Sequence, residues 1–273
     1  MKLADTIKRT ELYHSGKANN VYLTDNPEYL ELEASDRISA GNGAKTDVIS
    51  GKGIANNVIS KAIFTKLEEH GIHTHYVGPG SNEASKIVKK TTPILLEVIG
   101  RFKATGSYVK RYDVPDMMPF DGVYIEYTYK SDAAGDPPIC EAAIIAKGLL
   151  TKRELGYVEY VTEQVALVIK DFFAQCNGEL IDFKIEFGRL PNGQIIVIDE
   201  ISPDTCRILD KETGKSLIKT DSARIWEMLR KLTQKWQREF QKLSNSYREL
   251  KGTSNCSLND CWCCLYFIYR LIL

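Results

Sequence analysis

The chain carries no surplus of charge of either sign: 36 Lys and Arg balance 36 Asp and Glu over 273 residues. A balanced surface sets up no long-range field to draw in a nucleic-acid backbone or an anionic membrane, and neither partner is expected. Histidine is scarce, and His73 and His75 alone are too few for a metal site, so a structural or surface role is expected. There is no internal repeat, low-complexity tract or obvious linker. Nor is there a Walker A loop: the residue five before Gly51 is Thr46. The start, MKLADTIKRTELYHSGK, lacks the apolar core of a secretory signal. The seven cysteines are odd in number, and Cys140, Cys176 and Cys206 are widely scattered, which suits free thiols in a reducing cytoplasm.

The end of the chain stands apart. From Lys251 it reads KGTSNCSLNDCWCCLYFIYRLIL, its apolar part broken by Arg270 and well short of the ~20 residues a membrane helix needs. Cys256, Cys261, Cys263 and Cys264 lack paired zinc-ligand spacing. A tail outside the fold is expected for 251–273.

What is present reads as an α+β chain in two parts. In 1–92, short extended segments at Glu11 to His14, Asn20 to Thr24 and Tyr29 to Ala34 precede a helix from Ile54 to His70, stopped by Gly71. In 93–250, strands are predicted at Ile94 to Ile99, Val123 to Tyr129, Leu180 to Phe187 and Ile195 to Asp199. A helix at Tyr157 to Gln175 lies between them, and a last helix spans Asp221 to Leu243. Hairpins outnumber βαβ units, so a doubly wound sheet is excluded.

The segment LIDFKIEFGRLPNGQIIVIDEISPD holds the most chemistry. Period two puts Ile181, Phe183, Ile185 and Phe187 on one face and Asp182, Lys184 and Glu186 on the other. Asn192-Gly193 predicts a two-residue type I′ turn that pairs Pro191 with Gln194 and thereby sets Glu186 opposite Asp199. Two carboxylates so opposed repel unless a cation sits between them, and magnesium suits such oxygen ligands. A bulge that shifts the register would instead leave a solvated, charged hairpin face. Glu200, Asp204, Arg207 and Asp210 follow, more charge than a simple connector needs. Gly16-Lys17-Ala18, the run Ser39 to Lys45, and Gly51-Lys52-Gly53 ahead of a helix are candidate phosphate loops, although each taken alone reads more simply as an ordinary turn. Arg101, Gly106-Ser107 and Lys110-Arg111 form either a solvated basic loop or a clamp on a substrate phosphate.

In order along the chain, GKANNVY, SAGNGAK, GKG before a helix, GIHTH, EVIGR with KATGS, KSDAAGDP, LIDFKIEFG and DEISPDTCRILDKET resemble the landmarks of the SAICAR synthases. The last two are the specific ones. The resemblance implies a small antiparallel-sheet N-terminal lobe and a larger lobe like those of ATP-grasp enzymes and kinases. It also implies an ATP- and magnesium-dependent ligase of purine biosynthesis that joins carboxyaminoimidazole ribonucleotide to L-aspartate through an acyl phosphate. By the same resemblance Lys17, Ala18 and Lys130 contact ATP, Glu186 and Asp199 carry its metal, and Asp182 and Lys184 orient the reacting carboxylate. Arg101, Ser107, Asp204 and Arg207 hold the ribonucleotide side, and the loop with Ser39, Gly41, Gly43 and Lys45 receives aspartate. The expected partners are these small molecules and a second copy of the chain in a homodimer. Asn19, Phe102 and Leu209 depart from the family pattern, which expects a basic residue, Asn and Trp there. These departures keep open a ligase of altered substrate or a nucleotide-binding relic.

Overall fold

The computed structural model describes residues 3–40 and 45–217, without the side chains of 38–40, 45–46 and 132. The expected helix at Asp221 to Leu243 and the cysteine-rich tail lie outside the described residues.

Three strands, β1 (Arg9–Ser15), β2 (Asn19–Thr24) and β3 (Tyr29–Ala34), form a meander, and β4 (Arg37–Ala40) and β5 (Lys45–Val48) make a separate ribbon. Helix α1 (Lys52–Glu69) follows and buries Ala55, Ile59, Ile63, Phe64 and Leu67. Gly71, at φ 76°, ends it as expected, with Gly71 N donating to Glu68 O and Ile72 N to Leu67 O. The chain then adds β6 (Tyr76–Pro79) and β7 (Ser85–Lys89), completing an antiparallel sheet in the order β1-β2-β3-β7-β6. At its N-terminus α1 runs hard against this sheet. A side chain at Gly53 would place its Cβ 2.5 Å from Ala34 O.

The second sheet begins with β8 (Thr92–Lys103), continues through a short helix α2 (Ser107–Tyr112) to β9 (Pro119–Tyr129), and passes α3 (Glu141–Ala146) and α4 (Lys152–Ala174). Thr151 and Glu154 cap α4 reciprocally, and its stripe of Val158, Val161, Val165, Ile169 and Phe172 covers one face of the sheet. β10 (Gly178–Arg189) is the central strand, with Phe183, Ile185 and Phe187 buried beneath α4 as the alternation predicts. One edge of β10 pairs with β8. Its other edge is divided: β11 (Ile195–Ile198) pairs with Glu186 to Arg189, and β12 (Cys206–Asp210) pairs with Gly178 to Phe183. Between them the 199–205 turn leaves the sheet, tied back where Lys184 N donates to Thr205 O.

The two sheets meet along this same stretch. Thr74 bridges to Val197 in parallel, with His75 N donating to Val197 O and Val197 N to His73 O. Ser60 Oγ on α1 accepts from Ile201 N, and Lys52 at the start of α1 pairs with Asp204.

Gly53→Ala should push the start of α1 off β3 at a cost of about 1–3 kcal/mol, the range for overpacking a close backbone contact. The check is the urea midpoint, which should fall with an unchanged slope.

Candidate active site

The polar face of the second sheet is built by alternation on three strands. β10 contributes Asp182, Lys184 and Glu186, β8 contributes Glu97 and Arg101, and β9 contributes Glu126 and Thr128. Register puts Glu186 directly opposite Glu97, and Asp182 opposite Arg101.

The turn after β10 is not the expected two-residue one. Leu190 N donates to Gln194 O and Gly193 N to Leu190 O, so three residues, Pro191 to Gly193, make the loop, with Gly193 at φ 88°. A turn followed by a left-handed glycine is the common three-residue hairpin loop, and it displaces the register by one. Glu186 therefore faces Ile198, not Asp199. Asp199 still reaches the site, because it follows β11 in the left-handed region at φ 67°. Its Oδ2 lies 3.5 Å from Lys184 Nζ.

Lys184 Nζ is the hub. Besides Asp199 it contacts Glu186 Oε1 at 2.8 Å and Glu97 Oε1 at 3.2 Å. Burial alone would lower the pKa of this ammonium, but the charges of Asp199, Glu186 and Glu97 together outweigh it and hold it well above the usual lysine range. Lys130 Nζ meets the other oxygen of Glu186 at 2.5 Å, and Thr128 Oγ1 donates to Glu97 Oε2 at 2.7 Å. The like-charge opposition expected between Glu186 and Asp199 is thus realised between Glu186 and Glu97. Glu97 was not singled out from sequence, although it lies within the strand expected at Ile94 to Ile99. Only the pairing of β8 with β10, remote in sequence, shows what it faces.

Beside this cluster lies a guanidinium group. Asp182 Oδ2 accepts from Arg101 Nη1 at 2.5 Å and from Arg207 Nη1 at 3.0 Å. Arg101 Nη2 reaches Ser107 Oγ at 3.4 Å. Glu126 Oε1 takes Arg101 Nε and Nη2 at 2.9 and 2.7 Å, and its Oε2 takes Arg111 Nη1 at 2.7 Å. Gly106, at φ 60°, lets the loop approach Arg207, whose Nη2 would lie 3.2 Å from a Cβ there.

Behind the 199–205 turn sits a buried polar layer. Lys86, almost wholly enclosed, donates to Ser60 Oγ at 3.1 Å, and burial lowers its pKa against the opposing charges of Glu200 and Asp199. Burial first, then the charge of Asp199, pushes the Glu200 carboxyl up to about 7. His75 is buried and held neutral by its burial and by Lys86, in keeping with a structural role. Asp204 takes Lys52 on one oxygen. Its other oxygen is buried with no hydrogen-bond partner among the described residues.

Of the residues singled out from sequence, Asp182, Lys184, Glu186, Asp199, Lys130, Arg101, Ser107 and Arg207 form one contiguous surface. Asp204 adjoins it through the turn. Lys17 and Ala18 lie in the β1–β2 loop, where Ala18 O accepts from Ser35 N. Ser39 and Lys45 fall on the β4–β5 ribbon, so the two ends of the run read as a loop are strand. Their side chains, with Gly41 and Gly43, lie outside the described residues. Asn19, one of the departures, buries an Oδ1 with no partner among the described residues, while Phe102 packs on the core beneath Lys170.

Comparison with known proteins places this surface in context. The SAICAR synthetase family profile matches residues 12–243. The phosphoribosylaminoimidazole-succinocarboxamide synthase of Finegoldia magna is 44% identical over 209 residues, which is 77% of this chain and 90% of that protein. The synthase structure from Ehrlichia chaffeensis has a TM-score of 0.74 at 34% identity, covering 86% of this chain and 98% of that one. A SAICAR synthetase solved in complex with ADP has a TM-score of 0.77 at 35% identity, covering 82% and 97%.

The raised Glu200 pKa predicts a pH-dependent stability. A carboxyl that titrates higher when folded contributes stability below its unfolded value of 4.5, and that contribution is lost as the pH rises to about 7. Glu200→Gln should flatten this part of the thermal-unfolding profile and raise the melting temperature above neutrality relative to the parent.

Proposed function

The chain belongs to the SAICAR synthetase family, and on that premise we propose how its acid–base surface carries the reaction. The protein is an ATP-dependent ligase of purine biosynthesis that condenses carboxyaminoimidazole ribonucleotide with L-aspartate, giving SAICAR, ADP and phosphate. The observation that carries the assignment of roles is the convergence of Glu97, Glu186 and Asp199 on Lys184, next to the Arg101–Asp182–Arg207 group.

An amide cannot form from a carboxylate until an oxygen becomes a good leaving group. The ribonucleotide carboxylate therefore attacks the γ-phosphorus of ATP, ADP departs, and the aspartate amine then displaces phosphate from the acyl phosphate as it loses a proton. The charges of Asp199, Glu186 and Glu97 hold the Lys184 ammonium above the usual lysine range in this structure. Its role is to orient the reacting carboxylate and offset charge, and it is not a base. Asp182 holds Arg101 and Arg207 in place, and Arg207 with Ser107 grips the ribonucleotide. Lys130 and Lys17, with the backbone of Ala18, take the nucleotide phosphates.

The donor set fits magnesium. Glu186 and Asp199 are hard oxygen ligands that both reach Lys184 Nζ, and Glu97 adds a third negative charge against the two positive charges of Lys184 and Lys130. Among the described residues there is no ready-made cage of three ligands. Magnesium commonly keeps several waters and is bound by one or two carboxylates together with phosphate oxygens. When bound through Glu186 and Asp199, magnesium would offset the negative charge of the transferring phosphoryl group. The strand-divided turn keeps Asp199 within reach for this role. Among the described residues no helix is long and apolar enough to cross a membrane, and we place the enzyme in the cytoplasm with its nucleotide substrates.

The test is ADP release with ATP, magnesium and carboxyaminoimidazole ribonucleotide, with and without aspartate, on the parent and on Glu186→Gln. Aspartate-dependent turnover, reduced in the variant by about 10²–10³-fold as for loss of a group that stabilises transition-state charge, supports these roles. Full activity in the variant would remove Glu186 from them.

A further inference from the structure

Arg101 has no N–H to spare. Its five donors go to Glu126 Oε1 (two, at 2.9 and 2.7 Å), Asp182 Oδ2 (2.5 Å), Thr105 O (3.4 Å) and Ser107 Oγ (3.4 Å), and the residue is 4% exposed. Its position is dictated by the two carboxylates that bracket it. One of them, Asp182, also holds Arg207 at 3.0 Å. The other, Glu126, holds Arg111 at 2.7 Å, and the Arg111 side chain keeps 28% of its surface exposed. The result is an alternating chain, Arg111–Glu126–Arg101–Asp182–Arg207, in which two buried carboxylates space three guanidinium groups and one positive charge is left over. Ser107 is shared within it, 3.4 Å from Arg101 Nη2 and 3.5 Å from Arg111 Nη2.

The backbone on either side is fixed. Glu126 stands on β9 with Ile99 of β8 opposite. Arg111 stands on α2, which is held down where the Tyr108 ring meets Phe120 at 5.2 Å and Tyr124 at 5.0 Å. A carboxylate whose two oxygens are each held by a different guanidinium group fixes both side chains, and rigidity is what a phosphate-binding cluster needs to present its remaining donors together.

We propose that Glu126 is a positioning residue for ribonucleotide recognition: by clamping Arg101 and Arg111 to one carboxylate, it presents Arg111, with Ser107 and Arg207, as a preformed site for the substrate's phosphate. This rests on the reading of the guanidinium group as the ribonucleotide site, and it adds Arg111 to the phosphate contacts. The sign of the effect sets it apart from simple electrostatics. Neutralising a carboxylate beside an anion site should strengthen anion binding through charge alone, whereas loss of a clamp should weaken it.

The experiment is calorimetric titration of the full-length protein with carboxyaminoimidazole ribonucleotide, with its 5′-dephosphorylated ribonucleoside, and separately with ATP and magnesium, for the parent, Glu126→Gln and Glu126→Asp. Turnover is measured alongside. Glu126→Gln should weaken ribonucleotide binding on the order of tenfold, the size of one charge-assisted contact set. ATP binding should be unchanged and the penalty should be lost with the dephosphorylated ligand. Glu126→Asp, which keeps the charge with one methylene less reach, should fall between. Unchanged or tighter ribonucleotide binding in Glu126→Gln, an equal loss for ATP, or an equal loss for the dephosphorylated ligand would overturn the proposal. A parent that binds the ribonucleotide with these variant effects but shows no aspartate-dependent turnover would overturn the ligase roles and leave the clamp standing. A parent that does not bind it would overturn both.

Discussion

One ammonium organises the site. Lys184 stands among Glu97, Glu186 and Asp199, three carboxylates drawn from β8, β10 and the end of β11. Without it, Glu186 and Glu97 would face each other across adjacent strands with only Lys130 and Thr128 beside them, and like charges directly opposed destabilise a sheet. With it, each carboxylate keeps an oxygen on a donor, and the cluster holds an excess of negative charge that a hard cation could take up. The rest of the architecture serves that point. α4 seals the opposite face of β10, and the division of its free edge between β11 and β12 is what lets Asp199 turn inward.

Much of this could be read from the chain. The alternation in Leu180 to Phe187 placed Phe183, Ile185 and Phe187 in the core and Asp182, Lys184 and Glu186 in the site, because period two is local and one face had to be buried. The helix of 157–175 was legible for the same reason, while its capping box moved its start back to Lys152. The hairpin register was not legible. Asn-Gly serves two-residue and three-residue loops alike, and the difference of one residue lies in whether Leu190 or Pro191 closes the turn. Asp199 reached the site through a backbone dihedral that no side-chain pattern reports.

Glu97 and Glu126 mark the other limit. Each was visible as a polar residue on an alternating strand, but their significance lies in what stands beside them from another strand: Lys184, 87 positions away, for the first, and Arg101, 25 positions away, for the second. Pairing of that kind is settled by the packing of whole strands. The β4–β5 ribbon was missed for a different reason, since glycine-rich sequence suggests an open turn even where its flanks zip together. The family likeness supplied the chemistry in these places, and the geometry supplied the partners.

Three contacts run from the first part of the chain to the stretch 197–204: the Thr74–Val197 bridge, Ser60 with Ile201, and Lys52 with Asp204. Asp199 lies between the first two anchors, two residues from Val197 and from Ile201. A segment tied down on both sides has little conformational freedom left to lose, so its carboxylate is offered to a ligand without first having to be ordered.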